Sequence, residues 1–140
     1  MAKKDSSMPP EIKRFRSEIY DRPQSAAELA VDEEVFGAAL GVRGYTPPAQ
    51  ADILLDRLEL APGMRLLDIG AGRGWPGLYI AQKTGCFVVI TDVPAGAVRN
   101  AFERAREGTL RNRSAFLLAG GARLPFRPRV FDAVTNTDVL

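Results

Sequence analysis

The sequence predicts an α/β fold built on a doubly wound parallel sheet. Short apolar runs alternate with helical stripes, which implies parallel strands joined by right-handed crossovers. The run Leu66–Ile69 passes straight into a glycine-rich turn, and two successive runs close on an acid, Asp68 and Asp92. Ligands in such sheets bind outside the carboxyl ends of the strands, where these acids fall.

Residues 1–8 are polar and read as a disordered start, without the apolar core of a signal peptide. Residues 9–62 read as a helical cap. In Pro9–Tyr20, residues Ile12, Phe15 and Ile19 form a helical stripe, with Lys13, Arg14 and Arg16 on a solvated face. Ser25 and Glu28 form a capping box that opens a helix to about Leu40, weakened by Gly37. Gly41–Tyr45 is a turn. Thr46 is expected to cap the next helix, with Pro47 at its first position and a stripe of Ala51, Leu54, Leu55 and Leu58. That helix is expected to stop at Ala61-Pro62-Gly63.

Residues 63–140 read as a ligand-binding half. Strands are expected at Met64–Ile69, Cys86–Thr91, Ala115–Ala119 and Val130–Thr135. The second is apolar throughout, as where both faces are covered. A helix from Trp75 to Thr84 stops at Gly85. Another begins at Pro94 and buries Val98, Ala101, Phe102 and Ala105, with an Arg99–Glu103 pair on its surface.

Composition narrows the chemistry. The 140 residues suit one domain, 46% hydrophobic and 26% charged, with no apolar run long enough to span a bilayer. A net charge of +2 gives no nucleic-acid signal. There is no histidine and a single cysteine, so a histidine metal site, a cysteine-rich zinc site and a Ser-His-Asp triad are excluded. Cys86 reads as a small buried residue in a reducing, cytoplasmic setting.

The chemistry concentrates in Leu66–Ala81, LLDIGAGRGWPGLYIA. Gly70, Gly72 and Gly74 permit a tight turn and bare backbone for a ligand, and the helix that follows is expected to offer free N–H groups. Gly72, Gly74 and Gly77 literally match the dinucleotide fingerprint G-x-G-x-x-G, with Asp92 in the place of the ribose acid. Asp68 argues against a pyrophosphate. A carboxylate there repels an anion and attracts a cation, by roughly 4 kcal/mol at about 4 Å before desolvation. S-adenosylmethionine, with a sulfonium, an ammonium and no phosphate, suits it. Pro76 removes one more donor that a phosphate would use.

Asp68-Ile69-Gly70-Ala71-Gly72-Arg73-Gly74 resembles the acid-x-G-x-G-x-G motif of class I S-adenosylmethionine-dependent methyltransferases, of the type 11-like kind. Asp92 matches their second acid. Leu124-Pro125-Phe126 and Phe131-Asp132-Ala133-Val134 look like their third and fourth strand regions. The resemblance covers roughly Leu60–Leu140. It implies that Asp68 holds the loop and helps engage the methionine part of the cofactor, and that Gly70, Ala71, Gly72 and Gly74 contact the cofactor. It also implies that Asp92 takes the ribose hydroxyls and that Val93 packs on adenine; Val93 reads equally well as core. Many relatives place an acid after strand three that reads the adenine amino group. Here Gly121 stands in its place, which leaves the Ala122 backbone N–H and implies weaker binding. Asn136 and Thr137, with Asp138 nearby, match the methyl-transfer side or cap the next helix. Tyr45 is read as a packing tyrosine or part of a lid, Trp75 as a packing anchor, and Arg73 as solvated.

The function this implies is S-adenosylmethionine-dependent methyl transfer to an unidentified acceptor, a small molecule on this reading. No catalytic residue stands out and no metal is implied. One alternative is a non-catalytic fragment that at most binds cofactor, its open sheet edge covered by a partner chain. The other is an NAD-binding oxidoreductase. The family continues through three further strands, so the domain is expected to be truncated after the fourth.

Overall fold

The computed structural model describes residues 9–36, 42, 44–106 and 110–137. Expectations for residues 1–8, Gly37, Leu40, Gly41, Arg43, Asp138 and Leu140 lie outside the described residues. Helix α1 spans Pro10–Arg16 and runs into a π-helical turn at Ser17–Asp21. Helices α2 (Ala26–Phe36) and α3 (Pro48–Leu58) follow. Then come β1 (Arg65–Ile69), α4 (Gly77–Thr84), β2 (Phe87–Asp92), α5 (Ala95–Arg106), β3 (Ser114–Leu118) and β4 (Ala133–Thr135).

The four strands are parallel, in the order β3-β2-β1-β4. The chain steps outward from β1 to β3 and then returns to the far side of β1. That reversal makes the sheet doubly wound and creates a switch point at the carboxyl ends of β1 and β4. Register sets Leu66 beside Val88 and Asp68 beside Ile90 on one face. There they pack with Ile80 and Ala81 of α4 and with Ala101 and Ala105 of α5. Cys86 is fully buried in the same cluster, and burial pushes its thiol pKa up. Asp132 fixes the start of β4: its Oδ2 accepts the Arg65 N–H at 2.7 Å, and its own N–H donates to the Arg65 carbonyl at 2.9 Å.

The capping box forms as read. The Ser25 N–H donates to Glu28 Oε2 at 2.8 Å and the Glu28 N–H to Ser25 Oγ at 3.3 Å. Gly85, in the left-handed conformation, ends α4 as its sequence indicates.

Several local readings are corrected. Thr46 does not cap α3. Pro47 holds the cap position, while Thr46 is buried one residue earlier with its carbonyl accepting Trp75 Nε1–H at 2.8 Å. The α3 helix also ends at Leu58, ahead of the Pro62-Gly63 turn. Phe102 is 47% exposed, because α5 lies toward the edge strand β3, where the ring meets Phe116 edge-on at 5.6 Å. Glu103 pairs with Arg106 at 3.0 Å instead of Arg99, whose Nη2 reaches the Asp21 carbonyl. The stripe of α1 does not enter the core: Ile12 and Phe15 are exposed, and among the described residues the buried apolar core begins at Ala51.

Candidate functional site

The glycine loop joins β1 to α4 at the switch point, and nearly all its donors are spent inside the protein. The N–H groups of Gly70 and Ala71 both donate to the Thr91 carbonyl, at 2.8 and 3.1 Å. Gly72 N–H donates to Asp92 Oδ2 at 2.7 Å. Gly74 and Trp75 both donate to the Ala71 carbonyl. The helix start is no freer, contrary to expectation. Gly77 N–H donates to Asp68 Oδ2 at 2.8 Å and Leu78 N–H to the Gly74 carbonyl at 2.8 Å. A phosphate site needs convergent free N–H groups. This loop offers instead the carbonyls of Gly70 and Gly72, which accept none of these bonds.

The three glycines of the fingerprint serve different ends. Gly72 has φ +55°, and a Cβ there would meet nothing within 4 Å, so the backbone stays open for a ligand. A Cβ on Gly74 would collide with the Leu78 side chain. One on Gly77 would lie 2.5 Å from Asp68 Oδ2 and 2.9 Å from Ile90 Cδ1. Gly77 is thus the condition for bringing the helix onto Asp68.

Asp68 is fully buried, and both oxygens are engaged: Oδ2 by Gly77 N–H, Oδ1 by the Thr135 hydroxyl at 2.9 Å. Burial pushes its pKa from 3.8 up to about 7. The bonds from Thr135 and Gly77 pull the other way, and the charge of Asp92 adds to the rise. Asp68 therefore sits beneath the loop, capping Gly77 and tied to Thr135. Asp92 lies nearer the surface, its Oδ1 accepting the Val93 N–H at 2.7 Å and its Oδ2 holding Gly72.

The remaining predicted residues line the carboxyl edge. Val93 is half exposed, which is not a core position, and its Cγ2 lies 3.4 Å from where a Gly120 Cβ would stand. Ala119 N–H donates to the Asp92 carbonyl at 3.1 Å, bringing the turn through Gly120, Gly121 and Ala122 beside the second acid. Gly121 and Ala122 are exposed there. Asn136 is exposed just beyond Thr135. Tyr45 is 92% exposed, so it is not a packing tyrosine. Trp75 is buried as an anchor. Arg73 is not solvated: it is 3% exposed and donates to the carbonyls of Ile19 and Arg22. Thr135 is the residue sequence reasoning missed; it stands beside Asp68 only through the β1–β4 register.

Two carboxylates, open carbonyls and spent N–H groups suit a cation that also carries a diol. Comparison with known proteins agrees. The family model described as "Methyltransferase domain" matches residues 66–140. Methyltransferase GfsG of Streptomyces halstedii is 35% identical over 129 residues, covering 86% of this chain and 46% of that protein. The chain thus spans less than half the length of this relative. A geranyl diphosphate methyltransferase solved in complex with SAM superposes with a TM-score of 0.59 at 31% identity, over 63% of this chain and 36% of that one. The [4+2]-cyclase SpnF superposes with a TM-score of 0.58 at 32% identity, over 61% of this chain and 32% of that one. A family match over more than half its residues, on this sheet, shows that the chain belongs to the class I S-adenosylmethionine-dependent methyltransferase domain family.

Proposed function

We propose that the chain carries the cofactor half of an enzyme that transfers a methyl group from S-adenosylmethionine to a small-molecule acceptor. The observation that carries this reading is the glycine loop, with its N–H donors spent and two carboxylates at the strand ends. The small-molecule acceptor of the similar geranyl diphosphate methyltransferase supports it. Residues 9–62 serve as the cap and 63–140 as the cofactor half. A cytoplasmic setting belongs to the same reading, supported by the single buried cysteine. No described helix is long and apolar enough to cross a membrane.

Each residue then has a role. Asp92 accepts the ribose hydroxyls, giving up part of its hold on Gly72. Val93 and the Ala122 N–H bound the adenine. The carbonyls of Gly70 and Gly72 accept from the ammonium, with Ala71 fixing the turn between them. Gly74 keeps the turn tight against α4. Asp68 supplies negative charge from below, and Asn136 faces the acceptor side. When bound, the cofactor supplies an electrophilic sulfonium methyl, so alignment is the protein's main contribution.

The likeness to a [4+2]-cyclase favours a second reading, in which the chain does not transfer methyl, since one fold hosts several chemistries. Calorimetric titration with S-adenosylmethionine and with NAD tests the site. Saturable binding of the first, abolished in Asp92→Ala, supports it. Binding of NAD instead overturns it. Release of S-adenosylhomocysteine in the presence of candidate acceptors then separates transfer from binding alone.

A further inference from the structure

Arg73 belongs to the glycine loop, yet its side chain leaves the ligand side. Its Nη2 donates to the carbonyls of Ile19 at 3.0 Å and Arg22 at 2.8 Å. Asn100 on α5 donates through Nδ2 to the carbonyls of Tyr20 at 3.0 Å and Arg22 at 3.1 Å. Arg99 Nη2 donates to the Asp21 carbonyl at 3.4 Å. All four carbonyls from Ile19 to Arg22 are therefore taken by side chains of the cofactor half. Carbonyls at a helix end lack partners within the helix, and here another part of the chain supplies them. Gly96 completes the seat: a Cβ on it would collide with Asp21 Oδ1 and Cα.

Within the strap, apolar anchoring is limited to Ile19 and Tyr20, which are partly buried. Ile12 and Phe15 on one side of the turn are exposed, as are Val31 and Val35 on the other. An element held mainly by polar contacts opens at low cost. The opposite end of the same chain of contacts is Asp92, whose Oδ2 holds Gly72, the residue next to Arg73. A ligand diol that takes Asp92 competes for that oxygen and disturbs the backbone that carries Arg73.

We propose that Arg73 and Asn100 are positioning residues that seat residues 19–22 on the glycine loop and α5, so that occupancy of Asp92 and docking of this strap form one coupled equilibrium. The identity of the ligand rests on the cofactor reading above; the coupling of strap to loop does not. Linkage makes the effect reciprocal: whatever the ligand does to the strap, the strap does to ligand affinity.

Hydrogen exchange of the full chain, read by mass spectrometry, tests this with and without ligand. Asn100→Ala touches the strap and not the loop. Without ligand, it is expected to speed exchange about tenfold at residues 19–22 and also at Gly72–Trp75, the scale of losing one or two net hydrogen bonds. Asn100→Gln, which keeps the amide donor, is expected to restore slow exchange at both. Faster exchange at the strap with an unchanged loop overturns the proposal. With saturating S-adenosylmethionine, exchange at 19–22 is expected to shift together with the loop. A response confined to the loop also overturns it. If S-adenosylmethionine changes nothing but Asn100→Ala still loosens both segments, the coupling stands and the cofactor reading falls.

Discussion

The hydroxyl of Thr135 donates to Asp68 Oδ1 at 2.9 Å, across the β1–β4 pair and inside a fully buried environment. This bond and the one from Gly77 satisfy a carboxyl that water cannot reach. Thr135→Val keeps the shape and removes the donor. It is expected to lower stability by roughly 1–3 kcal/mol, the usual cost of leaving a buried polar group unpaired. Urea denaturation of the two proteins at one pH measures it.

Asp68 ties stability and ligand binding to pH with opposite signs. Its pKa of about 7 in the fold lies above its ordinary 3.8, so between these values the folded state binds more protons than the unfolded one. The contribution of Asp68 to stability is full below about pH 4 and is lost as pH rises toward 7, by at most roughly 1.4 kcal/mol per pH unit. Asp68→Asn is expected to remove that slope, seen as a smaller stability loss between pH 5 and 8 in paired denaturation series.

A cationic ligand favours the ionised carboxylate. Affinity for S-adenosylmethionine is therefore expected to climb with pH up to about 7, by no more than about tenfold per unit, and then level. In Asp68→Asn the climb should vanish. Calorimetry across pH 5.5–8.5 checks it, and an unchanged profile in the variant removes Asp68 from ligand recognition.

Gly77→Ala should be severe for a residue that touches no ligand. The added Cβ lies 2.8 Å from Asp68 Cβ and 2.9 Å from Ile90 Cδ1, so α4 must move off the sheet. A loss of roughly 1–3 kcal/mol is expected, as for other overpacked cores. Thermal unfolding reads it directly.

Two substitutions at the edge of the site bear on cofactor affinity. Asp92→Asn removes the charge from its hydrogen bonds and should weaken S-adenosylmethionine by about tenfold to a hundredfold. Gly121→Asp installs the acid that many relatives carry. The site is exposed, and its new Cβ meets only Ile69 Cγ2 at 3.1 Å. Affinity should rise by about tenfold, the scale of one charge-assisted bond. An unchanged value would show that adenine does not reach this turn.

Features set by neighbours in sequence were legible; those set by distant partners were not. The Ser25–Glu28 box and the Gly85 stop depend on residues a few positions apart, and both formed as read. The two acids were found because strand ends and glycine turns have local signatures. What they bind within the protein was hidden. Asp68 meets Thr135 only through strand register, and Arg73 is buried by carbonyls 51 and 54 positions earlier. Phe102 fits a helical stripe, but the period does not say that the stripe overhangs an edge strand.

The pairing of β1 with β4 also has a consequence in time. Strand β1 gains its second neighbour only when residues 133–135 arrive, 67 positions after the partners they meet. On a ribosome, the central strand waits with one side unpaired while α4, β2, α5 and β3 assemble on the other. Until Thr135 emerges, the acid beneath the loop lacks its hydroxyl donor. The half-built sheet thus carries an extra open edge along β1, available to the wrong strand. A chain stopped short of Ala133 is expected to aggregate through β1.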